Sequence, residues 1–264
     1  MENARMLTKT GLRQSQIVER TRFRNTVSIE ELATEFGVSM QTIRRDINAL
    51  CDANILRRRH GGAELMEHPV NTAYDARRAL NTGAKRAIAS AVCEMIEDGA
   101  TIFISIGTTP AIVAHELHAL KNLTVVTNNL NAAMALTAER SNRIIIPGGE
   151  IRLPDRDLLS DEASAVFTRY RADFGIYGVG GIDADGSLLD FHRAEVRARE
   201  AIRENARCSV LVADSSKFGR PAPALGGMID DADHVVIEAR PEADYAHILE
   251  RLGERLRITE EIVT

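Results

Sequence analysis

The 264-residue sequence contains no apolar run near the roughly 18 residues that a membrane-spanning helix needs. Its first 16 residues are polar and lack the apolar segment of a signal peptide, which argues against secretion. Cys51, Cys93 and Cys208 are too few and too widely spaced for a disulfide framework or a clustered zinc site. These absences exclude membrane-spanning and disulfide-stabilised classes and predict a cytoplasmic protein.

The sequence also lacks the net positive charge that would attract a nucleic acid, since its formal net charge is −5. This average hides a difference along the chain, because residues 1–68 carry +2 and the remainder carries −7. Lysine is scarce, with 4 of the 33 basic residues, so the positive charge is almost entirely arginine. With 44% apolar and 27% charged residues, the composition is that of a soluble globular protein with one large domain or two unequal ones.

The most informative stretch is a pair of helix patterns in the N-terminal part. Ser28, followed three residues later by Glu31, is a capping-box pattern that predicts a helix starting near Ile29. Gly37 can end this helix, and Ser39 can cap a second one. Apolar residues recur at helical spacing in both helices, namely Ile29, Leu32, Ala33 and Phe36, then Met40, Ile43, Ile47 and Leu50. Two short helices joined by a tight turn predict a helix-turn-helix.

The polar face of the second helix and a basic hairpin after it are candidates for DNA contact. Arginine can pair with guanine or hold a phosphate, and asparagine or glutamine can pair with adenine. Residues 55–59 and 63–66 predict two strands of a wing whose arginines would contact the DNA backbone. The predicted DNA-binding residues are Ser39, Gln41, Thr42, Arg44, Arg45, Asn48, Arg57, Arg58, Arg59 and His60. The alternative is an ordinary solvated face, as in capped helix pairs that bind no DNA.

From residue 82 onward, continuous apolar runs alternate with helix patterns. The runs at residues 100–106, 123–126, 144–146, 174–177, 209–212 and 234–237 are typical of parallel strands covered on both faces. The segment before them contains Pro69 and little periodicity, which indicates a linker. The predicted fold class is therefore α/β, with a winged helix-turn-helix at residues 10–66, a linker at 67–81 and a parallel-sheet effector domain at 82–258.

Ligands of open parallel sheets bind beyond the carboxyl ends of the strands, so the residues after each predicted strand are binding candidates. The first strand is followed by Gly107, Thr108, Thr109 and Pro110, where small residues and a helix N-terminus favour a phosphate. Later candidate loops contain Asn128, Gly148, Gly149, Asp190 and Lys217. Each loop alone is also typical of ordinary turns and caps, but together they favour a small polar or phosphorylated ligand.

Several segments resemble the DeoR family of bacterial transcriptional repressors. These are TIRRDINAL, LRRRHGGA, IGTTPAIVAHEL, LTVVTNNLNAA, PGGEIR, DFGIYGVGGIDADGSLLDF and VADSSKFGR. The resemblance covers about residues 12–250 and implies an effector domain similar to sugar-phosphate isomerases of the ribose-5-phosphate isomerase type. It further implies a phosphorylated effector bound by Thr108, Thr109, Asn128, Gly148, Gly149 and Lys217. The chain departs from the family at Ser160 and Asp161, where a glycine-containing segment is usual.

The resemblance implies a repressor of a carbohydrate or glycerol catabolic operon that leaves its operator when the effector binds. The amino-acid sequences of these segments favour glycerol-3-phosphate as the effector. The alternative is a regulator of the same family that senses another sugar phosphate. No cofactor is expected, and no adjacent pair of carboxylates completes a metal site with His115 and His118. Since one recognition helix contacts few base pairs, a homodimer or homotetramer is expected.

An enzyme of the isomerase type with an accessory N-terminal domain is the rival from another class. Asp190, Glu195 and Lys217 could supply the base and the donors that stabilise an enediolate. Such an enzyme has no need of a winged helix, and the helix-turn-helix signature is the more specific feature. We therefore expect a regulator rather than an enzyme.

Overall fold

The computed structural model describes residues 9–24, 26–52, 56–59, 61–65 and 74–259. The chain divides into two compact units, the first ending at Thr82 and the second beginning at Gly83. Among the helices within these ranges, none has both the length and the apolar character needed to cross a lipid bilayer. Each unit has its own buried core and is described separately.

The N-terminal unit is a helical bundle with a small antiparallel sheet. Its elements are α1 (Lys9–Arg24), β1 (Thr26–Ser28), α2 (Ile29–Glu35), α3 (Met40–Asp52), β2 (Leu56–Arg59), β3 (Gly62–Leu65) and α4 (Tyr74–Ala79). The strand order is β1-β3-β2, with Val27 and Arg58 both opposite Ala63. The core is built from Ile17, Val27, Leu32, Ile43, Ile47, Leu50, Leu56 and Ala63. This arrangement confirms the predicted winged helix-turn-helix.

The predicted turn between α2 and α3 is present, with one error in the apolar stripe. The Ser28 side chain accepts from the Glu30 backbone N–H at 3.2 Å, and Gly37 adopts a positive φ of 62° after α2. Met40 was predicted to be buried, but 38% of it is exposed. Because α3 begins at Met40, this side chain lies on the first turn, ahead of the buried positions Ile43 and Ile47.

The C-terminal unit alternates strands and helices along most of its length. Its strands are β4 (Thr101–Ile104), β5 (Thr124–Thr127), β6 (Arg143–Ile145), β7 (Ala172–Tyr177), β8 (Gly181–Ile182), β9 (Ser187–Asp190), β10 (Ala206–Val212), β11 (Ala224–Met228), β12 (His234–Ile237) and β13 (Leu256–Ile258). Its α-helices are α5 (Thr82–Cys93), α6 (Thr108–Glu116), α7 (Leu130–Ala135), α8 (Asp161–Ala165), α9 (Arg193–Asn205) and α10 (Ala246–Leu252). A short 3₁₀ helix, Ser215–Lys217, follows β10.

Seven parallel strands form the central sheet, in the order β13-β12-β10-β7-β4-β5-β6. Phe103 packs into the core on one face of this sheet, whereas Ile102 and Ile104 pack into the core on the other. Both faces are therefore covered, as the continuous apolar runs predicted. The chain proceeds from β4 to β6 on one side and then returns to place β7 on the other side of β4. This reversal between β4 and β7 is the topological switch point where ligands of such sheets bind.

Two features of the C-terminal unit were not predicted. One is β13, which adds a seventh strand beside β12. The other is a three-stranded sheet of order β11-β9-β8, inserted between β7 and β12 along the chain. Its shortest strand has two residues and its longest contains two adjacent glycines, so neither produces the apolar alternation of a longer strand.

Candidate DNA-binding surface and effector site

The outer face of α3 presents the predicted recognition residues. Gln41, Arg44, Arg45 and Asn48 are exposed. Thr42 is half-buried because it belongs to the cap, where its backbone N–H donates to Ser39 Oγ at 3.2 Å and the two hydroxyls lie 2.9 Å apart. The structure thus divides the predicted set into four residues turned to solvent and two, Ser39 and Thr42, that also shape the helix start.

A buried carboxylate on the opposite side of α3 was missed from the sequence. Asp46 is 2% exposed and accepts from Arg13 Nε at 2.6 Å and from Gln14 Nε2 at 3.2 Å, both on α1. Its position was a usable signal, since it falls at helical spacing within the stripe of Ile43 and Ile47. The ion pair ties α3 to α1, and this tie fixes which face of α3 is turned outward.

The hairpin of β2 and β3 carries the predicted wing arginines. Arg57, Arg58 and Arg59 are exposed on β2, whereas His60 lies outside the described residues. Glu64 on β3 accepts from Arg57 Nε at 2.8 Å and lies 3.1 Å from Arg59 Nη1. The hydrogen bond from Arg57 lowers the pKa of Glu64, despite the opposing effect of burial. One carboxylate therefore faces two guanidinium groups, which leaves the described hairpin positive.

The α6 N-terminus lies at the switch point and carries the predicted Gly107, Thr108 and Thr109. Gly107 is the N-cap residue, with φ 112°, and makes no side-chain cap hydrogen bond. The neighbouring helices differ, because Asn129 caps α7 and Ser160 caps α8 with side-chain oxygens. An uncapped helix N-terminus leaves backbone N–H groups and a partial positive charge available to an anion.

Two asparagines fix the loop beside this helix start. Asn129 Nδ2 donates to Ser105 O at 3.1 Å and to Gly107 O at 3.0 Å, which ties the end of β4 to α7. Asn128 is fully buried, and its Nδ2 donates to Leu158 O at 3.0 Å. Within the described part of the chain, Asn128 Oδ1 has no hydrogen-bond partner. An unsatisfied buried acceptor costs about 1–3 kcal/mol.

Gly148 and Gly149 lie in the loop after β6, the edge strand two places from β4 in the sheet. Gly148 lines a cavity of about 340 Å³ beside the edge strand, together with Ile145, Ile146, Pro147, Glu162, Val166, Arg169 and Tyr170. The neighbouring Gly149 has φ 132°. None of the residues that line this cavity belongs to the loops after β4, β5 or β10. Among the predicted effector residues, only Gly148 lines this cavity.

Arg152 anchors the rest of that loop. It forms two hydrogen bonds to Asp157, at 2.9 and 2.8 Å, and contacts Glu195 at 3.1 Å. Burial lowers the pKa of Arg152, but the Asp157 hydrogen bond and the surrounding carboxylates raise it overall above its ordinary value. Glu195 also accepts from the backbone N–H of Phe191 at 3.0 Å. The β6–α8 loop is thereby joined to the start of α9.

Asp190, another predicted effector residue, has structural partners. It is 5% exposed and accepts from the Gly180 backbone N–H at 2.9 Å and from Arg199 Nε at 3.1 Å. Burial raises the pKa of Asp190 to about 6, although Arg199 opposes this effect. The carboxylate thus holds β9 against the loop after β7. Its effector role stays a prediction.

Lys217, the last predicted effector residue, ends the 3₁₀ helix after β10. Its backbone N–H donates to Asp214 O at 2.9 Å, and its side chain is half-buried. Glu238, after β12, anchors this loop by accepting from Ser215 Oγ at 2.6 Å and from the Ser215 backbone N–H at 2.8 Å. The Lys217 loop therefore follows β10, one strand beyond β7 in the sheet.

Two protein-family models match this chain, one over the N-terminal unit and one over the C-terminal unit. A family model described as a DeoR-like helix-turn-helix domain matches residues 13–68, and one described as the DeoR C terminal sensor domain matches residues 80–239. The chain belongs to the DeoR family. The predicted family and fold class are thus confirmed.

Relatives of this DeoR-family chain are similar over nearly their whole lengths. The glycerol-3-phosphate regulon repressor of Escherichia coli strain K12 is 46% identical over 91% of this chain and 96% of the relative. That of Haemophilus influenzae is 39% identical over 92% and 95%. The HTH-type transcriptional repressor CsqR of Escherichia coli strain K12 is 35% identical over 88% of each chain. Among solved structures, ribose 5-phosphate isomerase A from Methanocaldococcus jannaschii is 16% identical, covers 53% of this chain and 56% of its own, and has a TM-score of 0.39.

Proposed function

We propose that this chain is a DNA-binding repressor that leaves its operator when its C-terminal unit binds glycerol-3-phosphate. The observation that carries the proposal is the exposed polar face of α3, held outward by the buried Asp46, in a chain 46% identical to a glycerol-3-phosphate regulon repressor. An exposed helix of this composition fits the major groove of DNA. The proposal includes a cytoplasmic location, because a bacterial repressor acts on the chromosome.

For DNA, we assign base contacts to Gln41, Arg44, Arg45 and Asn48 on α3. Arg57, Arg58, Arg59 and His60 of the wing contact the phosphate backbone, which positions the protein without specifying sequence. Ser39 and Thr42 set the start of the helix and contact the backbone from there. Helix-turn-helix proteins of this kind read a few base pairs with each recognition helix.

For the effector, we assign the phosphate group to the uncapped start of α6. Gly107, Thr108 and Thr109 supply backbone N–H groups there, and the helix dipole favours a negative charge. Asn128 and Lys217 contact the same ligand from the loops after β5 and β10. Gly148, Gly149 and Asp190, the other predicted effector residues, complete the proposed site by shaping the loops around the ligand.

The proposal excludes catalysis by the isomerase-type residues. Asp190 is bound by Arg199 and the Gly180 N–H, and Glu195 is bound by Arg152 and the start of α9. A general base must be within reach of a substrate proton, whereas these carboxylates are engaged with the protein itself. We therefore propose that the protein acts by binding.

We further assign the chain to a homo-oligomer, a dimer or tetramer, formed through the edge of the sheet at β6. The described residues include six exposed large apolar side chains, and four of them lie around this edge, namely Met134, Ile146, Ile151 and Leu153. Hydrogen bonds from Leu130 and Asn131 to the 155–156 backbone bring the β6–α8 loop beside α7. An exposed apolar cluster at an unpaired strand edge is typical of a protein interface.

In this proposal the domains are residues 10–66 and 82–258, and residues 67–81 transmit the signal between them. Effector binding changes operator affinity only if the ligand favours one arrangement of the DNA-binding units over another. A coupling of about 1–3 kcal/mol is typical of such systems.

Thermal unfolding of the full chain tests the effector assignment. Glycerol-3-phosphate at about 100 times its dissociation constant should raise the melting temperature by about 5–10 °C. Glycerol and inorganic phosphate are the controls, and each should give a smaller shift. A shift with a hexose phosphate but not with glycerol-3-phosphate would identify a different effector. No shift with any sugar or polyol phosphate would contradict the proposal.

A further inference from the structure

The side-chain amide of Asn128 has a hydrogen-bond partner for its nitrogen but none, among the described residues, for its oxygen. Its Nδ2 donates to Leu158 O at 3.0 Å, and its backbone oxygen accepts from Leu158 N at 2.9 Å. Its Oδ1 is buried and meets no donor among the described residues. Asn129 differs, because its Nδ2 donates to two carbonyls and its Oδ1 accepts from the backbone N–H groups of residues 131 and 132.

The orientation of the Asn128 amide follows from its contact with Leu158. Exchanging the nitrogen and the oxygen would place two acceptors, Oδ1 and Leu158 O, against each other. The unpaired atom is therefore an acceptor, and only a donor can satisfy it. A phosphate at neutral pH offers mainly acceptor oxygens, so it cannot fill this role. A hydroxyl group can both donate and accept.

The loop that contains Asn128 adjoins the loop that leads into α6, where the phosphate site is proposed. Thr127 is paired with Ile104 at the ends of β5 and β4, so the loops that follow these two strands are neighbours. Asn129, the next residue, donates to the carbonyl of Gly107, the N-cap residue of α6. The loop that carries Asn128 is therefore tied directly to the start of α6.

We infer that Asn128 Oδ1 accepts a hydrogen bond from a hydroxyl of the effector, so that the site selects phosphorylated polyols over phosphates without that hydroxyl. This inference rests on the proposed effector site. It makes Asn128 a specificity residue for the polyol part of the ligand, whereas α6 holds the phosphate. Losing the hydroxyl leaves the acceptor unsatisfied, which penalises the deoxy ligand.

Isothermal titration calorimetry of the full chain with three ligands tests the inference. The ligands are glycerol-3-phosphate, 3-hydroxypropyl phosphate, which lacks the central hydroxyl, and 2-hydroxypropyl phosphate, which lacks the terminal one. One deoxy ligand should bind about tenfold more weakly than glycerol-3-phosphate. In Asn128→Leu the same comparison should give less than about a twofold difference. Asn128→Ala provides the same comparison if the leucine variant does not fold.

Asn131→Ala is the matched control, because it removes a side-chain bond to the same loop, from Asn131 Nδ2 to Asp155 O. It should keep the tenfold discrimination. The inference fails if both deoxy ligands bind the unmodified protein as tightly as glycerol-3-phosphate. It also fails if the discrimination survives in the Asn128 variants, or if these variants fold but bind no phosphate ligand at all. If the unmodified protein binds none of the three ligands, the proposed function itself fails.

Discussion

Asp46 shows how one buried side chain determines what a surface can do. Its carboxylate is held by Arg13 and Gln14 beneath α3, and Arg44 and Arg45 stand on the helix just before it. Removing one partner of a buried ion pair costs about 3–5 kcal/mol, because the other charge is left buried and alone. The pair therefore makes the orientation of α3 depend on α1, and with it the direction in which the arginines point.

Arg45→Ala tests the DNA-binding face. We expect DNA affinity to fall by about 1–3 kcal/mol and, if Arg45 contacts a base, preference to relax at one base pair. Fluorescence anisotropy with DNA selected from a random-sequence library measures both effects. Arg24→Ala is the matched control, since Arg24 is an exposed arginine on α1 and its removal changes the net charge equally. Equal affinities for the two variants would remove Arg45 from the DNA-binding face.

On α3, burial was predicted correctly for some residues and incorrectly for others, and the difference has a physical cause. Ile43, Ile47 and Leu50 were correctly predicted because burial follows directly from apolar spacing. Asp46 occupies the same stripe, but a buried carboxylate needs donors from a distant segment, and spacing within one helix does not reveal them. Met40 has the spacing of the stripe but lies on the first turn of the helix, where tertiary packing decides burial.

At the scale of elements, the wing requires glycine at two adjacent positions, Gly61 and Gly62, for different reasons. Gly61 has φ 78°, whereas a Cβ on Gly62 would lie 1.9 Å from the Val27 backbone oxygen. The first glycine serves the turn, and the second allows β1 to pair with β3. The HGGA segment therefore matches a backbone requirement of the three-stranded sheet.

Gly62→Ala should disrupt the small sheet. The added methyl collides with backbone, which cannot move without breaking the pairing of Val27 with Ala63. Gly61→Ala meets no atom within 4 Å, so only its left-handed backbone is penalised, by about 1–2 kcal/mol. Urea denaturation of the full chain should show a larger loss for Gly62→Ala, together with weaker DNA binding and an unchanged glycerol-3-phosphate affinity. Equal losses for the two variants would contradict this account.

Strands were predicted correctly where the sequence of a single strand is enough to identify it. The central strands of the parallel sheet are apolar on both faces, so their runs are visible without knowledge of their neighbours. The strands β8 and β9 form a local antiparallel hairpin, but β8 has only two residues and carries little signal of its own. The pairing of β11 with β9 joins segments that are remote in sequence, so it could not be predicted from either strand alone. The start of α6 was predicted because small residues follow a strand. The unpartnered Oδ1 of Asn128 could not be predicted, because it depends on which donors the fold brings near it.

At the scale of the whole molecule, charge and assembly limit how the protein can bind DNA. Residues 1–68 carry only +2, and Glu64 offsets part of the charge of the wing. The remainder carries −7, so long-range attraction to DNA is modest. Binding then depends on local arginine contacts and on linking several recognition helices in one assembly.

Leu153→Asp tests the assembly proposed at the β6 edge. Leu153 is 77% exposed, so a charge there should not affect folding, but it should weaken an apolar interface. We expect light scattering after size exclusion to show a smaller mass, and apparent DNA affinity to fall at least tenfold through lost avidity. Leu225→Asp, at a 57% exposed leucine on β11, is the control and should keep the mass. An unchanged mass for Leu153→Asp would place the interface elsewhere.

The central claim is that one ligand-binding event in the C-terminal unit releases the N-terminal unit from DNA. The most direct measurement is anisotropy of labelled, library-selected DNA titrated with the full chain, with and without saturating glycerol-3-phosphate. The account predicts that the ligand weakens DNA binding by about 5- to 150-fold, and that inorganic phosphate at the same ionic strength does not. Unchanged DNA affinity in a sample where calorimetry shows the ligand bound would contradict it.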